Sequence, residues 1–171
     1  MICKICSHEP MKKVVDLGLQ PLANKYPKNS NEIKNEKKFP LILIFCENCL
    51  NVQIEKLINR KEMFEDYYYL SSVNMGLVNH FESLARKIDL SSFVVDIGSN
   101  DGILLKPLKA MGIKAIGVDP SINVGKIAND QGLETFIGFF SYKIVENIIK
   151  IHGKPDTVVA SNIFTHIENP K

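Results

Sequence analysis

The spacing of apolar positions changes near residue 90 and divides the chain into two regions. Before that point the apolar segments are short and isolated. Lys13 to Leu17 and Phe39 to Phe45 read as strands, Leu50 to Leu57 alternates as a third, and Arg60 to Glu65 begins a short helix. Between the first two strands, Asn24 to Lys38 is rich in Lys, Asn and Glu and reads as a solvated surface loop. Tyr67-Tyr68-Tyr69-Leu70-Ser71-Ser72 is an aromatic run between elements. From Met75 to Ile88, Val78, Phe81, Ala85 and Ile88 recur at helical spacing, so an amphipathic helix leads into the second region, with Asp89 to Ser92 as a hinge.

Beyond the hinge, strand-like runs alternate with helical ones. Strands are predicted at Phe93–Ile97, Lys114–Val118, Leu133–Ile137 and Thr157–Ala160, and helices at Gly102–Met111, Ser121–Gln131 and Tyr142–Ile151. A β-α-β-α-β-α-β order implies an α/β fold, a parallel sheet with helices on its faces. We place the first module at residues 1–74 and the second at 75–171.

The first module holds all four cysteines, as two identical pairs, Cys3-Lys-Ile-Cys6 and Cys46-Glu-Asn-Cys49, with 39 residues between them. Two Cys-x-x-Cys knuckles can surround one zinc ion with four thiolates, and the two-residue spacer lets both sulfurs of a pair reach the metal from one tight turn. A structural zinc held by Cys3, Cys6, Cys46 and Cys49 is expected, with His8 as a spare ligand. The bland readings are a redox pair or inert thiols, and a redox motif would not be duplicated. A closed four-thiolate site has no open position for substrate, so the metal would shape the fold without performing chemistry.

Charge narrows the function. Lys and Arg number 21 against 19 Asp and Glu, a formal net charge of +2. Four zinc-bound thiolates bring the holo-protein close to neutral. That field argues against nucleic acid or an anionic membrane surface and for a small-molecule partner, with a nucleic-acid-binding zinc ribbon as a minor alternative. No apolar run approaches the roughly 18 residues of a membrane span, and MICKICSHEP lacks a signal-peptide core, so a cytoplasmic protein is expected.

The second module begins with a glycine turn. Its first strand ends in Asp96-Ile-Gly98-Ser-Asn100-Asp101-Gly102 and passes into a helix, where a doubly wound sheet binds ligands at its carboxyl edge. Asp119 closes the second strand, 21 residues beyond Gly98, a position from which a carboxylate can accept from ribose hydroxyls. A dinucleotide fingerprint would need glycines at 100 and 103, which are Asn100 and Ile103 here. Asp96 and Asp101 would also repel a pyrophosphate, whereas the ammonium and sulfonium of S-adenosylmethionine suit them. A dinucleotide-binding domain and a non-catalytic zinc-containing binding fragment stay as alternatives. A plain helix cap at Asp101 and a ligand-free tight turn at Gly98 are the bland readings.

Taken in order, the motifs resemble the zinc-containing, S-adenosylmethionine-dependent sugar C-methyltransferases, which act at C3 of nucleotide-linked 4-keto-deoxysugars through an enolate. The resemblance is carried by the first knuckle, Pro21-Leu-Ala-Asn24, Phe39-Pro-Leu, the second knuckle and Tyr67-x-Tyr69-x-Ser71-Ser72. It continues through Asp96-Ile-Gly-Ser-Asn-Asp-Gly102, Gly117-Val-Asp119-Pro120-Ser121, Gly138-Phe-Phe140 and Ser161-Asn162-Ile-Phe164-Thr-His166-Ile167. Family members usually have Glu where this chain has Asp96.

The resemblance implies a zinc module followed by an incomplete Rossmann-like class I methyltransferase sheet. It implies that Asp96, Gly98, Asn100, Asp101 and Gly102 hold the methionine end of the cofactor and Asp119 its ribose, with Pro120, Phe140 and Asn162 near the adenosyl group. Tyr69 and His166 match positions that face the sugar and are the acid/base or hydroxyl-orienting candidates. Their bland readings are an aromatic packed at the module junction and a helix-start residue satisfied by the backbone. The family continues beyond this fourth strand through three more strands and a carboxy-terminal domain. The expectation is therefore the amino-terminal part of a larger enzyme, with that half or self-association covering the open sheet edge.

Overall fold

The computed structural model describes residues 1–167 and divides the chain into two compact units, Met1–Met63 together with the stretch from Phe164, and Phe64–Ile163. The first is a three-stranded antiparallel sheet with short helical turns. Strand β1 (Lys12–Pro21) pairs with β2 (Lys38–Phe45), which pairs with β3 (Val52–Ile54). β1 runs past the predicted Leu17. Register shifts at Lys13/Val15 and Asp16/Leu19 break its side-chain alternation while pairing with β2 continues. Gly18 supplies a positive φ of 69° in the second irregularity, and its N–H donates to Asp16 Oδ1 at 3.0 Å.

The predicted loop between β1 and β2 contains a helical turn, α1 (Ser30–Lys34). Asn29 caps it, its side chain accepting from the N–H groups of Asn31 and Glu32, so local capping produces a helix where no apolar face called for one. Helix α2 (Arg60–Phe64) follows β3. The apolar core of this unit is small: Cys3, Met11, Ile44 and Cys46 are buried, and Cys6, Ile42 and Cys49 pack around them.

The second unit opens with a 3₁₀ turn at Ser71–Val73 and helix α3 (Met75–Ala85), capped by Asn74. Then come β4 (Phe93–Ile97), α4 (Leu105–Ala110), β5 (Lys114–Asp119), α5 (Ile122–Asp130), β6 (Thr135–Ile137), α6 (Tyr142–His152) and β7 (Thr157–Val159). All four strands are parallel, in the order β6-β5-β4-β7. Both faces of the sheet are covered, and residues of β4 alternate between them. Val94 joins Phe81, Ala85, Leu104 and Leu108 on one side, while Phe93 and Val95 join Ile116, Val118 and Ile148 on the other. The helix expected from Gly102 begins only at Leu105. Gly102 has a φ of 84°, which no α-helix accommodates, and residues 101–104 form turns instead.

From β4 the chain steps outward to β5 and β6, then returns to place β7 on the other side of β4. This reversal is a topological switch point. In open α/β sheets ligands bind outside the carboxyl ends of the strands at such a point, here the ends of β4 and β7. No described helix is long and apolar enough to cross a membrane.

Candidate functional sites

In the first unit, the sulfurs of Cys3, Cys6, Cys46 and Cys49 all lie within 4.8 Å of one another. Cys3 to Cys49 is 3.6 Å and Cys6 to Cys46 is 3.5 Å. Four thiolates at about 2.3 Å from a tetrahedral zinc would stand roughly 3.8 Å apart, so the cluster fits that ion in donor type and size. The two knuckles share one backbone design. In the first, Cys3 N donates to His8 O at 3.0 Å and Ser7 N to Cys3 O at 2.8 Å; in the second, Cys46 N donates to Asn51 O and Leu50 N to Cys46 O, both at 2.9 Å. Each turn reverses through a non-glycine residue in the left-handed region, Ser7 at φ 63° and Leu50 at φ 61°. His8 contributes its carbonyl to this turn and is not a member of the sulfur cluster.

The thiols differ in their readiness to ionise. Cys6 is held down to about 6, first by the Asn48 side-chain amide, which donates to its sulfur at 3.5 Å, and then by the His8 backbone N–H. Cys49 is pushed up to about 12: the Asn51 N–H favours its thiolate, but burial and the hydrogen bonds with Cys6, Cys3 and Cys46 outweigh that donor. Four negative sulfurs at this spacing therefore call for a cation among them.

The second site lies at the carboxyl edge of the parallel sheet, where three buried carboxylates converge: Asp96, Asp101 and Asp119 are 3%, 5% and 5% exposed. None makes an ion pair among the described residues. Asp96, at the end of β4, accepts no hydrogen bond among the described residues, and burial followed by repulsion from Asp119 raises its carboxyl to about 7. Asp119, at the end of β5, is fixed by two backbone donors, Asn100 N to Oδ2 and Ser121 N to Oδ1, both 2.8 Å. Burial still raises its pKa, because it outweighs those donors. Asp101 spends one oxygen on the N–H and hydroxyl of Ser72, while Oδ1 is buried without a partner.

The glycine turn packs tightly. A Cβ on Gly98, at φ 74°, would stand 2.1 Å from Ile163 Cδ1, and one on Gly102 would stand 2.5 Å from Leu133 Cδ1. Gly98 is thus required by the loop after β7, and Gly102 by the approach of the segment before β6. Asn100, at φ 50°, sits between them and has a fully engaged side chain. Its Nδ2 donates to Tyr69 O at 3.0 Å, and its Oδ1 accepts from Ser71 N at 2.9 Å.

The structure brings Asp96, Gly98, Asn100, Asp101, Gly102 and Asp119 together at this edge. Pro120 follows Asp119 directly and is half-buried, Phe140 is 44% exposed, and Asn162 is exposed with φ 57°. Tyr69 is half-buried, with its ring edge-on to Tyr67 at 6.5 Å. His166 lies in a 3₁₀ turn, Phe164–His166, that belongs to the first compact unit. One residue that no sequence signal marked is Asn123, in the first turn of α5. Its Nδ2 donates to Tyr67 O at 2.7 Å and its Oδ1 accepts from Tyr67 N at 3.1 Å.

A glycine turn at the sheet's switch point, with an acid closing the neighbouring strand, defines a Rossmann-like cofactor-binding domain joined in this chain to a four-cysteine metal module. Residues 60–171 match the family described as "Methyltransferase domain", and residues 3–64 match one described as "Putative zinc binding domain". The chain belongs to the methyltransferase-domain family.

Among curated proteins it is 30% identical to the C-methyltransferase NovU of Streptomyces niveus, over 96% of this chain and 41% of that protein. The chain thus spans less than half the length of this relative. Among solved structures it is similar to magnesium protoporphyrin IX methyltransferase from Synechocystis with bound SAH, at TM-score 0.40 and 20% identity, covering 53% of this chain and 44% of that one. It is also similar to the plantazolicin methyltransferase in complex with SAH, at TM-score 0.37 and 21% identity, covering 53% and 34%. Those two scores are too low to bear on the site.

Proposed function

We propose that this chain serves a S-adenosylmethionine-dependent C-methyltransferase acting on a nucleotide-linked keto-deoxysugar. The observation that carries the reading is the acidic floor at the sheet's carboxyl edge: three buried carboxylates that, among the described residues, make no ion pair, one accepting no hydrogen bond and another with an unpartnered oxygen. Such a floor is unfavourable until a positive ligand enters, and it is hostile to a pyrophosphate. Membership of the methyltransferase-domain family and the likeness to a C-methyltransferase support the same choice.

When bound, S-adenosylmethionine supplies an electrophilic methyl group. Asp96 and Asp101 would hold its cationic end, and Asp119, kept in place by the backbone of Asn100 and Ser121, would accept from its ribose. Pro120, Phe140 and Asn162 are the candidates for the adenosyl group. Carbon methylation next to a keto group needs a base for the α-proton and a donor for the enolate oxygen. Tyr69 and His166 are the candidates within this chain for those roles, on the strength of the sugar C-methyltransferase motifs. Zinc held by the four cysteines would have a purely structural part.

Calorimetric titration of the full chain with S-adenosylmethionine, with NADH as the control, tests the reading. Saturable binding of the first alone is expected. Binding of NADH instead, or of neither, overturns it.

A further inference from the structure

The segment from Glu65 to Ser72 has an unusual source of backbone hydrogen bonds. It forms no strand and only enters a 3₁₀ turn at Ser71, yet backbone groups of Tyr67, Tyr69, Ser71 and Ser72 are bound in sequence by side chains from the carboxyl edge of the sheet. Asn123 takes both backbone groups of Tyr67. Asn100 brackets Leu70 by binding Tyr69 O and Ser71 N. Asp101 takes the N–H and hydroxyl of Ser72. A backbone bond from Ile122 N to Glu65 O at 3.0 Å ties the upstream end to α5. The segment is a strap fastened across the ends of β4 and β5.

Two of its three fasteners belong to the acidic site. Asn100 faces both ways: its side chain holds the strap and its backbone N–H holds Asp119. Asp101 divides its carboxylate between Ser72 and the position of its unpartnered oxygen. Asn123 touches none of the three carboxylates and serves the strap alone through its side chain. If the strap shifts, Asn100 loses its side-chain partners, and the amide that orients Asp119 loses its anchor.

We propose that Asn123 is a positioning residue of the methyl-donor site, acting through the strap: it fixes Tyr67 and thereby holds Tyr69, Asn100 and Asp101 in the arrangement that a methyl donor binds. The proposal rests on the donor reading above. It predicts that strap and donor stabilise each other, because binding is reciprocal between linked groups.

The test uses the full chain, S-adenosylmethionine as probe, and Asn123→Ala and Asn123→Asp. The second variant keeps the acceptor for Tyr67 N but sets a carboxylate oxygen against Tyr67 O in place of the donor, so it loosens the same contact without shortening the side chain. Calorimetry and amide hydrogen exchange are read together. In the wild-type chain the donor should slow exchange at residues 67–72. Asn123→Ala should speed that exchange without donor and weaken donor affinity about 5- to 20-fold, the scale of two lost hydrogen bonds, and Asn123→Asp should speed strap exchange at least as much. A strap that is only structural would exchange faster in the variants at unchanged donor affinity, and that result overturns the proposal. So does strap exchange in the wild type that does not respond to donor. Failure of the wild-type chain to bind donor at all removes the donor reading itself, and this proposal with it.

Discussion

The two units of this chain solve the same stability problem by opposite means. The sheet unit supports itself with apolar side chains: three buried clusters drawn from residues between Phe81 and Ile148 fill both faces of four parallel strands. The metal unit has a single cluster of four buried residues, two of them cysteines, and its longest strand, β1, is exposed at nine of ten positions. A small ribbon with so little apolar volume needs a staple, and four converging thiols provide one. The contrast also extends to charge. The metal unit draws four thiols together at the spacing of zinc ligands, and the sheet unit buries Asp96 and Asp119, whose carboxyls burial pushes up, beside Asp101. Each site gains when a positive partner arrives.

The sharpest way to break the comparison is to remove the staple. Cys46→Ser, or a chelator on the wild-type chain, should unfold the ribbon, since structural zinc contributes on the order of 10 kcal/mol or more to small domains. Loss of amide dispersion from residues of β1 to β3, with the signals of β4 to β7 retained, is the expected spectrum. A ribbon that stays ordered without metal would contradict it.

The reciprocal change attacks the sheet. Leu104 is fully buried against Phe81 and Val94, and Leu104→Ala should cost about 2 to 5 kcal/mol in urea unfolding while zinc stoichiometry stays at one.

Asp96 offers a smaller and more diagnostic effect. Its carboxyl titrates near 7 when folded and about 4 when unfolded, so between those values the native chain holds a proton that the unfolded chain gives up. Stability of the ligand-free protein should therefore fall as pH rises from about 4 to about 7 and level off above. Asp96→Asn should reduce that slope to the part that Asp119 contributes, stabilise the apo-protein at pH 8 by on the order of 2 kcal/mol, and weaken donor binding. A cationic donor favours the ionised carboxylate, so wild-type affinity should climb with pH up to about 7. Thermal melts and calorimetry across pH 5 to 8 check both signs; a flat stability profile would mean that Asp96 is ionised throughout.

The smallest expected effect is local. Asn29→Ala removes the cap of α1 and should cost about 1 kcal/mol, seen as faster amide exchange at Asn31 and Glu32 with metal affinity unchanged.

Much of the architecture was legible because its causes are local. Short β-branched runs gave β4 and β5 almost to the residue, and the amphipathic spacing of Val78, Phe81 and Ala85 gave α3, because burying one face imposes a period on the sequence. The duplicated Cys-x-x-Cys pairs announced one cluster for a related reason: a metal site fixes residue type and spacing together. Local reading failed where a turn residue or cap overrode the pattern, as at Gly102, which delays α4, at Asn29, which starts α1, and at Gly18, whose irregularity conceals the continuation of β1.

The sequence by itself determined the order of the strands and of the longer helices, the four-cysteine cluster and the position of an acid-rich glycine turn. Only the tertiary structure decided what those acids and amides face. It showed Asp96 without a hydrogen-bond partner among the described residues, Asp119 clamped by the backbone, Asp101 divided between Ser72 and an open oxygen, and Asn123 as a fastener of the aromatic run. The physical reason is range. Periodicity records which face of an element is buried, but the side-chain contacts of the strap join residues 29 to 56 positions apart, and a hydrogen bond between a side chain and a distant backbone leaves no period behind.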